Sequence, residues 1–194
     1  MLTKIKKKIR SLVKDFEKKG TESFAYTVTN EFKLAESNIG EIEEVILNGE
    51  NLESAQYTFE SPNKISLDIE SPGLVQEDAI DIIYSYYKYS DEELEGAISS
   101  ALVWLSVFGY DEEDYELVEN EELYIDPTPN NKTTDLISLI SAIILKPEYS
   151  EYRLADVTVR YTPTIPTDKR IELLVTRFKW GVGINDLLEW NQGD

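Results

Sequence analysis

The side chains available for chemistry in this sequence are carboxylates, lysines, serines and tyrosines, because its 194 residues include no histidine and no cysteine. The absence of histidine removes the commonest general base, and the absence of cysteine removes thiol nucleophiles, zinc-thiolate sites and disulfides. Two carboxylates can still hydrolyse a glycosidic bond. With 38 acidic residues, however, carboxylate pairs arise by chance, and no local motif singles one out. We therefore expect no catalytic residue, and a carboxylate-only hydrolase is the remaining enzymatic alternative.

The sequence predicts neither a cofactor site nor a metal site. The glycines of the segment Gly181-Val182-Gly183 lack the preceding strand that a dinucleotide-binding fingerprint requires, so we expect a helix break there. The acidic residues 111–114 could offer oxygen ligands to Ca²⁺, but they lack the alternating spacing and central glycine of an EF-hand. A solvated acidic loop is the expected structure.

Charge is distributed unevenly along the chain. The whole sequence carries a net charge of −19, whereas the first 20 residues contain eight basic and two acidic side chains. An acidic protein surface repels nucleic acid phosphates and anionic lipid. The longest apolar stretch, residues 136–145, is far shorter than the ~20 residues that span a bilayer. We expect no membrane association and no specific binding of DNA.

Hydrophobic periodicity predicts an α+β protein in three parts. Residues 1–20 form a basic amphipathic helix, which we expect over residues 3–19 with Gly20 as its stop. Residues 21–89 alternate with period two and form a small antiparallel β module. Within this module, Asn48-Gly49 is a two-residue hairpin turn.

Residues 90–194 form a helical body of three or more helices. The first begins after Ser90 and ends near Gly109, the next is capped by Thr134, and the last opens at Thr167. Three further segments are predicted: a solvated acidic loop over residues 110–132, a strand or extended arm over residues 157–161, and a C-terminal tail over residues 184–194 that forms a further helical turn.

Two groups of residues are candidates for contact with a partner. Apolar side chains near the end of a chain need something to cover them, which is either the chain's own core or another subunit. Tryptophan is enriched in binding hot spots. The basic helix offers cations to an acidic partner or a neighbouring subunit. The resulting interface candidates are Trp180, Ile184, Leu187, Leu188, Trp190, Lys6, Lys7 and Arg10. An alternative is a cytosolic ligand-binding or carbohydrate-binding module that uses Tyr84, Tyr86, Tyr87 and Tyr89.

The order of elements resembles the structural proteins of tailed bacteriophages. Residues 39–86 resemble a small β module of such proteins through the segments Ile42–Leu52, Tyr57, Ile65–Leu67 and Ile80–Tyr84. Residues 90–109 and 133–190 resemble the helical body of head-to-tail adaptor (connector, head-completion) proteins, with the first helix spaced like Leu94, Ala97 and Ala101. The basic helix and the sizeable β module depart from the smallest, all-helical adaptors.

The resemblance implies a non-enzymatic virion protein at the head-tail junction, synthesised in the host cytoplasm. It implies a homo-oligomeric ring, usually of twelve copies, between the portal protein and a downstream neck or tail protein. DNA would pass through the ring without sequence-specific binding. The resemblance also places Leu187, Leu188 and Trp190 in a segment that docks on the portal. Alternatives within the same class are a stopper and a tail-completion protein.

Overall fold

The structure, a computed structural model, describes residues 1–26, 29–60, 62–69, 78–120, 122–155, 157–162 and 164–181, and the backbone of residues 186–190. The chain forms two compact units. Unit 1 consists of Met1–Asp15 and Asp91–Asp194, and unit 2 of Phe16–Ser90. The predicted α+β class, with an N-terminal helix, antiparallel sheets and a helical body, is confirmed. The N-terminal helix, which we treated as a segment of its own, belongs to unit 1.

The elements follow one another along the chain in an order close to the predicted one. They are α1 (Leu2–Val13), β1 (Lys18–Ala25), β2 (Glu31–Lys33), β3 (Ile39–Leu47), β4 (Glu50–Asn51), a 3-10 turn (Ser54–Gln56), β5 (Tyr57–Glu60), β6 (Lys64–Leu67), β7 (Ala79–Tyr86), α2 (Asp91–Val107), β8 (Glu116–Glu119), β9 (Leu123–Asp126), α3 (Asn131–Leu145), β10 (Glu151–Arg153), β11 (Val157–Tyr161), α4 (Thr167–Trp180) and β12 (Asp186–Trp190).

Unit 2 is built from two antiparallel sheets around one hydrophobic core. One sheet has the order β1-β7-β3-β4 and the other β2-β6-β5. Alternation buries Ile65 and Leu67 while Ser66 between them stays half-exposed, as expected for a sheet with one wet face. The buried core consists of Phe32, Leu34, Val45, Ile65, Leu67, Ile80, Ile82 and Tyr84.

The predicted hairpin turn at Asn48-Gly49 is confirmed. Asn48 has φ 49° and Gly49 has φ 86°, and both values lie in the left-handed region that such turns require. The Asn48 side chain donates to Asp78 at 2.8 Å and accepts the N–H of Ala79 at 2.9 Å. These bonds fix the turn to the start of β7.

The predicted helix over residues 3–19 is too long. Lys14 adopts a left-handed conformation with φ 56°, and the N–H of Asp15 donates to the Arg10 carbonyl at 2.8 Å, which closes the helix. Phe16, which falls on the apolar face of the predicted helix, is 63% exposed. Gly20 does not stop the helix but lies inside β1.

Helix α3 is the centre of unit 1, as its apolar sequence predicts. Ten of its 15 residues are buried, and it packs against α1, α2 and α4. Its cap is not Thr134, which is itself buried inside the helix. The cap is Asn130, whose side-chain oxygen accepts the N–H of Thr133 at 2.9 Å.

The acidic segment 110–132 is not simply a loop, because it contains the antiparallel hairpin β8-β9. Its carboxylates occupy exposed ends of the strands, at Glu116 and Glu119, while Ile125 is buried. Because nine acidic residues lie among positions 110–126, the short apolar pattern of this hairpin is not evident from the sequence.

The C-terminal part of unit 1 contains a three-stranded sheet with the order β10-β11-β12. The predicted strand at β11 is confirmed, whereas β10 was not anticipated. Strand β12 pairs with β11 in parallel, so the further helical turn expected in the tail is wrong over residues 186–190. A parallel neighbour requires a crossover connection, which α4 supplies.

Candidate functional site

One flank of α1 is joined to the start of α2 by ion pairs. The Lys6 Nζ lies 2.7 Å from Asp91 Oδ2 and 2.6 Å from Glu95 Oε1. Arg10 lies 2.9 Å from Asp91 and 2.6 Å from the buried Asp15 carboxylate. Two of the three basic residues predicted to contact a partner are therefore engaged with acids of their own unit.

These ion pairs change the protonation equilibria of their members. Burial acts to raise the pKa of Asp91, but the hydrogen bonds and charges of Lys6 and Arg10 outweigh it and hold that pKa below its usual value. Burial likewise acts to lower the pKa of Lys6, and its bonds to Asp91 and Glu95 raise it above the usual value. The charged forms are favoured on both sides of the contact.

The other flank of α1 lines a cleft with a volume of about 630 Å³, which we call the basic cleft. It lies between α1, the start of α3 and the connection from β10 to β11. Its polar lining residues are Thr3, Lys4, Lys7, Lys8, Ser11, Asp135 and Arg153, and its apolar ones are Met1, Leu154 and Ala155. Among the residues that the structure describes, four cations and one carboxylate line this cleft, in a chain whose net charge is −19.

The cations of the basic cleft differ in whether they already form ion pairs or hydrogen bonds within the chain. Lys8 forms an ion pair with Asp135, and Lys4 donates to Asn131 Oδ1 at 3.1 Å. Arg153 lies 3.0 Å from Glu151, a carboxylate that also binds Arg160 at 2.9 Å. Lys7 is exposed and forms no ion pair with any residue that the structure describes. The cleft therefore retains positive charge for an anionic ligand.

A buried arginine holds the segments that precede β10 and follow β11. Arg170 donates to the carbonyls of Ile165 and Pro147 at 2.7 Å and to that of Tyr149 at 3.1 Å. The Tyr161 hydroxyl donates to the Arg170 carbonyl at 3.0 Å. Because β10 and β11 are antiparallel, this network fixes the end of the hairpin opposite Arg153.

A second surface, which sequence reasoning missed, follows the outer side of α2. The predicted stripe of α2 is buried, yet Val103 is 60% exposed and Val107 is 63% exposed. One turn apart on the helix, they form an apolar strip beside the half-buried, stacked rings of Trp104 and Phe108. Two apolar residues at i and i+4 outside the main stripe were the available signal.

Carboxylates flank this apolar strip. Asp114 and Glu116 line, with Val103 and Val107, a groove of about 490 Å³ between α2 and β8. The exposed acidic turn of residues 111–114 precedes β8. Helix α2 forms one side of this groove, and we call its exposed residues Val103 and Val107, together with residues 111–114, the apolar-acidic ridge.

The acidic turn is organised by local hydrogen bonds. Asp111 accepts the backbone N–H of Glu112 at 2.8 Å, and Asp114 accepts the hydroxyl of Ser106 at 2.9 Å. In the part of the chain that the structure describes, no group of three or more acidic side chains is arranged to hold a metal ion.

The predicted C-terminal interface residues fall into two groups. Trp180 is the last residue of α4 and is 83% exposed. The backbones of Leu187, Leu188 and Trp190 lie in β12, opposite residues of β11. Their side chains and the whole of Ile184 lie outside the described residues, so the predicted contact of this tail with a partner stays a prediction.

The tyrosines of unit 2 are mostly used within the unit. Tyr84 is buried, its hydroxyl donates to Glu22, and burial raises its pKa, with the Glu22 contact acting in the same direction. The half-buried Tyr86 ring packs 6.0 Å from that of Tyr84. Tyr87 and Tyr89 are also half-buried. The rings at 84 and 86 thus serve the core of the sheet.

No model of a known protein family matches the chain, and no curated protein matches it. Among the described residues, none of the helices combines the length and apolarity needed to cross a bilayer. The chemistry of the two surfaces on unit 1 is therefore the guide to function: one is basic and apolar, and the other is acidic and apolar.

Proposed function

We propose that this protein is a non-enzymatic structural component of a tailed-phage virion, an adaptor at the head-tail junction. In this role a homo-oligomeric ring binds the portal protein on one side and a neck or tail protein on the other. DNA passes through the ring without sequence-specific contact. The protein is made in the host cytoplasm and ends in the virion.

The observation that carries this proposal is the exposed apolar strip of α2. Val103 and Val107 project from a well-packed helix whose other face is fully buried. Adjacent exposed apolar side chains on a folded unit favour a protein-protein contact at that place. A protein that works by binding neighbours needs such a surface, and the exposed Trp180 adds a second apolar anchor on the same unit.

The charge of the chain supports passage of DNA rather than its capture. Residues 16–90 contain 15 acidic and five basic side chains, a net charge of −10. A surface of the same sign as the DNA backbone repels it and lets it slide.

The perturbed carboxylates favour a structural role over acid catalysis. A general acid that works near neutral pH needs a raised pKa. The pKa of Asp91 is lowered, because its bonds to Lys6 and Arg10 outweigh the effect of burial. The pKa of Glu151 is lowered chiefly by its hydrogen bond from Arg160. Both shifts are those of ion pairs that join elements.

Native mass spectrometry and negative-stain electron microscopy of the purified protein test the proposal. We expect a ring-shaped particle of one closed stoichiometry, alone or after co-expression with the portal protein of the same genome. A protein that stays monomeric in both settings and binds an immobilised glycan would be a carbohydrate-binding module instead.

A further inference from the structure

The residues that line the basic cleft favour a ligand that is both anionic and apolar. Lys4, Lys7 and Arg153 supply the positive charge, while Met1 and Leu154 contribute apolar surface to the same concavity. A small inorganic anion would leave that apolar surface uncovered. A protein segment that carries carboxylates next to aliphatic side chains would cover both.

The apolar-acidic ridge of this same chain has that composition. Val103 and Val107 give it two exposed aliphatic side chains one helical turn apart, and the acidic turn 111–114 follows shortly after. The carboxylates of Glu112 and Glu113 are exposed and form no ion pair within the described residues. When the ridge and the cleft come into contact, aliphatic side chains pack on aliphatic side chains and carboxylates face cations.

The two surfaces belong to the same unit and share no residue. Each copy of the chain therefore presents one cleft and one ridge. A contact between two different patches of identical subunits is heterologous, and repetition of it produces a closed ring or an open filament.

We propose that copies of this chain assemble head to tail, with the ridge of one copy docked in the basic cleft of the next. This inference rests on the proposed ring and assigns the surfaces that join its subunits. Burial of Val103 and Val107 provides the affinity. The charge pairs set the orientation and speed the encounter, so assembly weakens as salt is added.

Reciprocal charge reversal tests the pairing directly. One variant carries Lys4→Glu and Lys7→Glu in the cleft, and the other carries Glu112→Lys and Glu113→Lys in the ridge. The four side chains lie at the surface, so both variants should keep the circular dichroism of the wild type. Lys33→Glu with Lys169→Glu, at exposed positions that line neither surface, is a control that makes the same change in net charge as the cleft variant.

Analytical ultracentrifugation and native mass spectrometry at low salt give the readout. We expect the wild type and the control to form oligomers that dissociate as salt is raised, and each reversal variant alone to sediment as a monomer. An equimolar mixture of the two variants should regain oligomers containing both chains in equal numbers. Val107→Ser should also weaken wild-type assembly, without any change in charge.

Three results would overturn the inference in distinguishable ways. A wild type that is monomeric at every concentration and salt removes both this interface and the proposed ring. Oligomers that persist in both reversal variants remove this interface and leave the ring standing. Variants that are monomeric alone and also in mixture show that ridge and cleft do not contact each other.

Discussion

The phenol ring of Tyr84 covers the backbone of Gly20 on the adjacent strand. The two residues are direct partners in the antiparallel pairing of β1 with β7. A Cβ atom at Gly20 would lie 2.6 Å from Tyr84 Cζ and 2.9 Å from its Oη. Tyr84 is buried, and its hydroxyl is held by Glu22, so the ring cannot move aside freely. Only glycine fits this position without displacing the ring.

Gly20→Ala should therefore destabilise the protein by about 1–3 kcal/mol, the usual cost of overpacking a buried site. Chemical denaturation followed by circular dichroism measures the change. Gly96→Ala is the matched control, because a Cβ there meets nothing within 4 Å and alanine is the better helix former. Equal stability of the two variants would contradict the close approach of Tyr84.

This glycine shows which features a sequence pattern can and cannot predict. Gly20 follows an amphipathic helix, so local rules make it a helix stop, but its partner Tyr84 is remote in the chain. The turn at Asn48-Gly49 and the stripe of α2 depend on neighbouring residues alone and were predicted correctly. Strand β12 depends on a distant partner, β11, and was not.

The candidate surfaces also combine features that the sequence can predict with features that it cannot. Lys6, Lys7 and Arg10 were grouped as one basic set, yet helical periodicity puts Lys6 and Arg10 on one flank of α1 and Lys7 on another. That split could have been read from their spacing. The contribution of Arg153 and Leu154 to the cleft could not, because it depends on where the small sheet packs.

Replacing Asp91 with asparagine should reduce stability in a pH-dependent way. The pKa of Asp91 is depressed in the folded state, so its contribution is present above the unfolded pKa, near 3.8, and is lost as pH falls through the lower folded value. Because the side chain is 60% exposed, we expect the difference at neutral pH to be only about 0.5–1 kcal/mol.

Urea denaturation of wild type and Asp91→Asn between neutral and acidic pH measures this difference. Glu92→Gln, in the same first turn of α2, loses a similar interaction with the helix dipole and no ion pair. The excess effect of Asp91→Asn over this control should vanish at low pH. An excess that is constant with pH would mean that the ion pairs to Lys6 and Arg10 contribute nothing.

Arg170→Met should be strongly destabilising, although methionine replaces the aliphatic part of the arginine side chain with an apolar one of similar size. It leaves the carbonyls of Pro147, Tyr149 and Ile165 without their donor, which should cost about 2–4 kcal/mol in the free energy of unfolding. Arg177→Met, at an exposed position of the same helix, should stay within about 0.5 kcal/mol of wild type. Similar losses in both variants would mean that removal of either charge, rather than of the donor network, is responsible.

Asn130→Ala should lower stability by about 1 kcal/mol, because α3 loses the side-chain acceptor at its start. Asn130→Asp keeps an acceptor and adds a negative charge beside the positive end of the helix dipole, so it should match the wild type. Thermal unfolding of the three proteins separates the two effects. A loss in both variants would assign the role of Asn130 to its amide nitrogen instead.

Deleting residues 186–194 should destabilise unit 1, because it removes the parallel partner of β11. Strand β11 would lose the backbone pairing that extends over five residues, from Val157 to Tyr161. At about 0.5–1.5 kcal/mol for each lost hydrogen bond, we expect a loss of about 2–4 kcal/mol.

Trp180→Ser is the contrasting change in the same region, since an 83% exposed side chain contributes little to folding. Its stability should stay within about 0.5 kcal/mol of wild type. The deletion and the substitution thus separate the role of the tail in folding from any role in binding. The truncated protein could unfold at the same denaturant concentration as the wild type. In that case the pairing of β12 with β11 does not stabilise the sheet, and the tail would be available to a partner.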